Sequence, residues 1–294
     1  MSRSRRDGAT LSFAALLSAA EDTTLPEVIL AREVAKGNLT AADIWESLSQ
    51  SLVVMKEAVA SGLKKTELSP SGLSGGDAAR LYRSPHSILG EVGKRAAAYA
   101  LATAEVNASM GRIVAAPTAG SSGVLPGVLL ALSEVHLIDD EQLVRALVVA
   151  GGIGQVVSAR ATLAGAEGGC QAECGAAAAM AAGATVFLLG GDTEAVFHGA
   201  AMAITNLLGL VCDPVAGLVE VPCIARNAGA SAIALLSAEL ALSGIRSLIP
   251  PDEVVDAMRE VGRLLPASLR ETAVAGLANT PTARALEKNL LGRQ

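Results

Sequence analysis

With 294 residues and a net charge of −6, the chain has length for one large domain or two small ones, and it lacks the clustered Lys and Arg that nucleic-acid phosphates require. Hydrophobic residues make up 51% but aromatic ones only 2%, so the core must be built from Ala, Leu, Val and Ile around small neighbours, an arrangement that favours close-packed helices. The mean hydropathy of +0.45 raises the question of a membrane span. The apolar runs 113–132 and 229–245 do not read as one: the first is broken by Pro117, Pro126 and glycines, the second contains Glu239, and a span needs about 20 mostly apolar residues.

The chain opens on the basic stretch Met1-Ser2-Arg3-Ser4-Arg5-Arg6-Asp7. A short apolar run over 11–17 follows and passes into Glu21-Asp22 without an export-cleavage pattern. Residues 1–24 therefore read as a flexible or partly ordered start, and 25–294 as the helical domain. Four cysteines are too few for a disulfide scaffold in a chain this long, so the reducing cytoplasm is the expected compartment.

Helical apolar spacing runs over 25–34 and 41–60, the second after the N-cap region Asn38-Leu39-Thr40. The stretch 64–77 is rich in Gly, Ser and Pro and reads as a long loop, either a linker or a lid lining a site. Further helices are predicted over 94–110, 123–134, 141–163, 175–189, 193–208, 225–243 and 251–264. Strand signals are weak throughout, so the expected fold is all-α.

The gaps at 114–123, 164–175 and 209–222 join Gly or Pro to polar residues. Glycine lets backbone approach a ligand closely, and a helix starting after such a loop aims unpaired N–H groups at it. Cys170 and Cys174 form a C-x3-C pair, and ten residues separate Cys212 from Cys223. Such spacing is a weak metal signal, because a Cys in an Ala-rich helix is commonly a small buried hydrophobe. That bland reading suits Cys174, which opens the apolar run 175–182. Cys170, Cys212 and Cys223 each adjoin a turn or a proline and can face a shared cavity, so a joint site and three separate buried thiols both stay open.

Longer motifs narrow the choice. The segments Asn107-Ala108-Ser109-Met110-Gly111-Arg112-Ile113-Val114-Ala115-Ala116-Pro117-Thr118-Ala119-Gly120-Ser121-Ser122-Gly123, Gly165-Ala166-Glu167-Gly168-Gly169-Cys170-Gln171-Ala172-Glu173 and Cys212-Asp213-Pro214-Val215-Ala216-Gly217-Leu218-Val219-Glu220-Val221-Pro222-Cys223 resemble signatures of the iron-sulfur-dependent L-serine dehydratases. The resemblance extends from Ser71-Gly72-Leu73-Ser74-Gly75-Gly76-Asp77 to Thr280-Pro281-Thr282, in the order of that family's α subunit.

The resemblance implies a 4Fe-4S cluster held by Cys170, Cys212 and Cys223, one iron being left open to polarise the substrate hydroxyl. Cys174 falls where the family pattern does not call for cysteine. Thr118, Gly120, Ser121, Ser122 and Gly123 look like the loop that receives the serine carboxylate, with Asn107 and Ser109 as weaker candidates on the same wall. The implied activity is lysis of L-serine to pyruvate and ammonia, a step of amino-acid catabolism that feeds gluconeogenesis.

The base that takes the α-proton is not identified by this reading. His86, in Ser84-Pro85-His86-Ser87, has the most site-like setting of the three histidines, since His136 reads as surface and His198 as a packing residue. Single-chain relatives carry a further domain with a Ser-Ser-Ser-His motif that this sequence lacks. The expectation is therefore a separate β subunit covering the loop around 72–77. Other readings are an iron-sulfur lyase acting on cysteine or threonine, and a non-catalytic subunit whose cluster senses oxygen. Pyridoxal phosphate chemistry is disfavoured, because no Lys sits in a convincing cofactor-binding setting.

Overall fold

A computed structural model describes residues 11–292, so the basic stretch 1–7 lies outside the described residues. Thirteen α-helices follow one another there: α1 (Phe13–Ala19), α2 (Leu25–Ala35), α3 (Ala41–Gly62), α4 (Asp77–Arg83), α5 (Gly90–Ala108), α6 (Val124–His136), α7 (Asp140–Arg160), α8 (Gly165–Gly168), α9 (Ala176–Leu188), α10 (Thr193–Leu207), α11 (Cys223–Leu242), α12 (Pro251–Leu264) and α13 (Pro281–Leu291). The fold is all-α. Among the described residues no strand forms, and the sole sheet-like pairing is an isolated bridge between Cys212 and Arg270.

Helix α9 is the centre of the core, flanked by α6, α7, α10 and α11. Every residue from Ala176 to Val186 is buried, and most of them are Ala, so the neighbouring helices can approach closely. At Gly183 an added Cβ would stand 2.2 Å from Ile153 Cδ1 of α7, which shows how little room the packing leaves. Small side chains thus take the place of the missing aromatics, and dispersion over many close contacts supplies cohesion. Helix α7 is long and apolar enough to cross a membrane by length and composition, yet 67% of its apolar window is buried inside this bundle.

Local capping explains several helix starts. Thr40 Oγ1 accepts the N–H of Asp43 at 3.2 Å while Asp43 returns a bond to the Thr40 N–H at 2.9 Å, and Asp139 and Gln142 repeat the reciprocal box at α7. Other helices depend on distant partners. Within the segment read as a flexible or partly ordered start, α1 is held by Asp252 of α12, whose carboxylate accepts the N–H groups of Phe13 at 2.9 Å and Ala14 at 3.1 Å. The Phe13 ring also lies 4.9 Å from that of Phe197. Helix α4 begins at Glu105 of α5, which accepts the N–H groups of Gly76, Asp77 and Ala78 at 3.2, 2.7 and 3.2 Å.

These contacts bring one end of the bundle into focus. Helices α6, α9 and α11 pack on one another, and each starts directly after one of the Gly- and Pro-containing gaps. The C-terminal end of α5 meets them, since Asn107 Nδ2 donates to Ala119 O at 3.3 Å.

Candidate active site

The 114–123 loop forms one wall. Ser121 and Ser122 are fully buried, while Thr118 is half-buried and lies 3.0 Å from Ser121 through their hydroxyl oxygens. Ser122 Oγ is buried and, among the described residues, has no hydrogen-bond partner. Gly123 packs under the Ala100 carbonyl, where a Cβ would stand 2.2 Å from the oxygen. Asn107 borders this wall through its bond to Ala119. Ser109 closes α5 through its backbone N–H, which donates to Glu105 O, and among the described residues its hydroxyl makes no bond to the loop.

Asn227 of α11 anchors the loop from below. Its Oδ1 accepts the Gly123 N–H at 2.9 Å, and its Nδ2 donates to Gly120 O at 2.7 Å and to Cys223 O at 2.9 Å. One buried amide therefore joins the loop to the turn that carries Cys223.

The cysteine-bearing segments are stitched together in the same way. Cys170 leads into a π-helical turn, Gln171–Gly175, that continues into α9; such turns frequently mark functional positions. Gln171 binds the next gap twice, donating its N–H to Leu210 O at 3.0 Å and accepting the Gly209 N–H at 2.9 Å. Cys212 is pinned by its N–H to Leu269 O at 2.9 Å and by its carbonyl, which accepts the Glu271 N–H at 2.8 Å. Arg226 donates to Val211 O at 2.8 Å and pairs with Asp213 at 2.8 Å, and Asp213 also accepts the Leu277 N–H at 2.7 Å.

All four thiols are buried and none is joined in a disulfide. Hydrogen bonding to Cys174 and the charge of Arg226 hold Cys170 below the usual thiol range against the opposing effect of burial. Burial pushes Cys223 up to about 12 and Cys212 higher still, and the Cys170 charge adds to both shifts. Cys174 is raised well above the usual range, chiefly by its bond to Cys170 and by burial. Thiols from three separate segments thus feel one another, and the pocket resists several thiolates unless positive charge joins them.

Soft thiolate donors of this kind suit an iron-sulfur cluster. Among the described residues no three of His, Cys, Asp and Glu lie close enough to share a single metal ion. A cluster distributes its cysteine ligands over separate irons, so it does not require three ligands around one metal ion. Cys170, Cys212 and Cys223 are the residues that would hold it.

Sequence reasoning left Glu173, Glu220, Arg226 and Asn227 without roles. Glu173 sits in the π-helical turn and accepts the Thr118 hydroxyl at 2.7 Å; burial pushes its carboxyl up against that bond. Glu220 is buried and accepts the Ser69 hydroxyl at 2.6 Å and the Ser74 hydroxyl in a shorter bond, tying the 69–74 loop to the segment that ends in Cys223. The quoted motifs already contained Glu173 and Glu220, but nothing local distinguished them from solvated surface acids. His86 is exposed in the 84–89 loop and lines a separate cavity of about 170 Å³ with Leu81, Ser87 and Lys94. The structure does not bring it to the thiols.

Comparison with known proteins bears on the same segments. The model of the serine dehydratase alpha chain family matches residues 20–278. The chain belongs to that family. A Bacillus subtilis (strain 168) protein named "Probable L-serine dehydratase, alpha chain" is 48% identical over 271 residues, covering 91% of this chain and 90% of its own. The L-serine dehydratase alpha chain of Peptoniphilus asaccharolyticus is 45% identical over 268 residues, with 90% and 92% covered. The L-serine dehydratase of Streptomyces coelicolor (strain ATCC BAA-471 / A3(2) / M145) is 37% identical over 90% of this chain, which spans only 59% of that longer protein. The family match takes in the Thr118 loop and all three cysteine segments.

Proposed function

We propose that this chain is the catalytic α subunit of an iron-sulfur-dependent L-serine dehydratase that converts L-serine to pyruvate and ammonia. The observation that carries the reading is the meeting of the Thr118 loop with three buried cysteine segments at one end of the bundle, in a chain similar over nine-tenths of its length to relatives named for this activity. Held by Cys170, Cys212 and Cys223, a 4Fe-4S cluster would supply a Lewis acid for the departing β-hydroxyl.

The chain's own residues do the rest. The hydroxyls of Ser121 and Ser122 and the backbone N–H groups of the loop receive the substrate carboxylate, with Asn107 at the rim, while the Thr118 hydroxyl, which donates to Glu173 and neighbours Ser121, positions that wall. Asn227 keeps that loop in register with Cys223, so that carboxylate and hydroxyl are held at a set separation. The Arg226 charge favours the Cys170 thiolate, the form that binds metal. Glu220 fastens the Ser69–Ser74 loop to the segment that ends in Cys223. Loss of water from serine leaves an aminoacrylate, whose imine tautomer hydrolyses to pyruvate and ammonia without net redox change.

The Cα proton needs an acceptor, and His86 lies on a different cavity. We assign that group to a separate β subunit covering the 72–77 loop, in the reducing cytoplasm. The relatives named as alpha chains match this chain nearly end to end, whereas the Streptomyces protein named without a subunit is much longer. Anaerobic purification with the candidate partner, iron and sulfide analysis, and a pyruvate assay on serine, threonine and cysteine test the reading together. Iron-loaded protein that forms pyruvate from serine supports it. Loaded protein that acts on none of the three favours the sensing role instead.

A further inference from the structure

Glu173 is a carboxylate that the proposed reaction does not yet use. Its turn lies between Cys170 and α9, and its side chain crosses to the opposite wall, where Oε1 accepts the Thr118 hydroxyl at 2.7 Å. Two glycines make the space around it. A Cβ at Gly120 would stand 2.9 Å from Oε1, and one at Gly165 would stand 2.7 Å from Oε2 and 3.3 Å from Cys212 Sγ. The carboxylate therefore sits between the 114–123 loop and the segment of Gly165 and Cys212, and the residue is partly exposed.

Among the described residues no Lys, Arg or His forms an ion pair with Glu173, and the charge that bears on it, Glu271, has the same sign. The cation that bears on Cys170, Arg226, is committed to Asp213 and Val211. A carboxylate withdrawn from water without a partner is costly, and a ligand ammonium placed beside it removes that cost. Hydrogen bonds between two charged groups are also the strong ones.

We propose that Glu173 receives the α-ammonium of the substrate and so selects α-amino acids over the corresponding hydroxy acids. This rests on the serine-dehydratase reading. Three substrate groups then meet three walls: carboxylate to the Thr118–Gly123 loop, ammonium to Glu173, hydroxyl to the thiol cavity. The Thr118 bond leaves Oε2, on the Gly165 side, free to accept from the ammonium.

The test compares wild type with Glu173→Gln and Glu173→Asp in the anaerobically purified enzyme with its partner chain, by calorimetry with two ligands. L-Alanine carries the carboxylate and ammonium but has no leaving group; 3-hydroxypropionate carries the carboxylate and hydroxyl but has no ammonium. Glu173→Gln is expected to weaken L-alanine roughly 10- to 100-fold and to raise the KM for L-serine by a similar factor, the range for loss of a charged hydrogen bond. Its affinity for 3-hydroxypropionate should stay within about twofold, its iron content should not change, and Glu173→Asp should recover part of the L-alanine affinity. Equal weakening of both ligands, or loss of iron from folded Glu173→Gln, overturns the assignment. Unchanged L-alanine binding in a variant that still dehydrates serine overturns it alone, whereas a loaded wild type that does not process serine removes the underlying reading and this one with it.

Discussion

Asn227 holds Gly123 by its backbone: Oδ1 accepts the Gly123 N–H at 2.9 Å, and the same amide reaches back to Cys223 O at 2.9 Å. The residues in the first bond are 104 positions apart in the chain, yet the pair sets the distance between the 114–123 loop and the turn that carries Cys223.

Replacing that amide should separate substrate binding from metal binding. Asn227→Ala leaves the Gly123 N–H and the Gly120 carbonyl buried without partners, at about 1–3 kcal/mol each. The expected outcome is a lower Tm and a KM for serine raised about tenfold, with most of the iron retained. Asn227→Asp keeps the acceptor for Gly123 but loses the donor to Gly120, so it should fall between wild type and Ala. Steady-state kinetics beside iron analysis check this; iron lost in proportion to activity would show that Asn227 serves the metal turn alone.

The cysteines should divide three against one. Cys170→Ser, Cys212→Ser and Cys223→Ser each remove a soft donor and are expected to abolish iron-sulfur absorbance and pyruvate formation. Cys174→Ser keeps the volume and should retain the cluster, with a modest stability loss from placing a hydroxyl where a buried thiol stood. A folded Cys174→Ser protein without iron would reassign the ligand set.

Glu220 should control the 69–74 loop. Glu220→Ala removes the acceptor for both Ser69 and Ser74 and is expected to cost about 1–3 kcal/mol, because the group lost is charged and buried. Limited proteolysis is the readout. Cleavage within 69–77 should accelerate in the variant while the helical bundle stays intact by circular dichroism.

Acid should destabilise the chain through His198. Burial lowers its pKa from 6.5; Glu194 and Asp192 oppose that shift and Arg246 adds to it. Its Nδ1 accepts the Ser247 N–H at 3.1 Å, which requires the neutral ring. The folded state therefore binds the proton less tightly than the unfolded one, so the contribution is complete above 6.5 and is lost as pH falls through the folded pKa. His198→Asn, whose Oδ1 can accept the same N–H, should lose less Tm than wild type between about pH 7.5 and about pH 5.5. Parallel losses in the two proteins would assign the acid sensitivity elsewhere.

Much of the helical layout was legible beforehand. The bounds of α12 coincide with the predicted 251–264, and α2, α3, α9 and α10 differ from expectation by a residue or two at an end. The N-cap region before α3 was visible because Thr40 and Asp43 are local partners. Helix α4 was not visible, since Glu105 holds its N-terminus from 28 residues away, and α1 was missed despite a local cap at Ser12 because seven residues with only Phe13 and Leu16 buried show little periodicity. Helix α13 was missed despite a local cap at Thr280, because its buried face is a single residue, Ala283, too little to show as periodicity.

The sequence by itself determined an all-α chain with an Ala-rich core, and it marked three Gly- and Pro-containing gaps and their motifs. Apolar spacing, capping and turn chemistry act over a few residues, and these features depend on nothing more distant. Only the tertiary structure decided which side chains face one another across those gaps. Thr118 meets Glu173 across 55 residues, Asn227 reaches Gly120 across 107, and Glu220 holds Ser69 across 151. His86, the most site-like histidine by local setting, ends on another surface. Burial turns such meetings into chemistry, because a carboxylate or thiol withdrawn from water must find its partner in the fold or in a ligand.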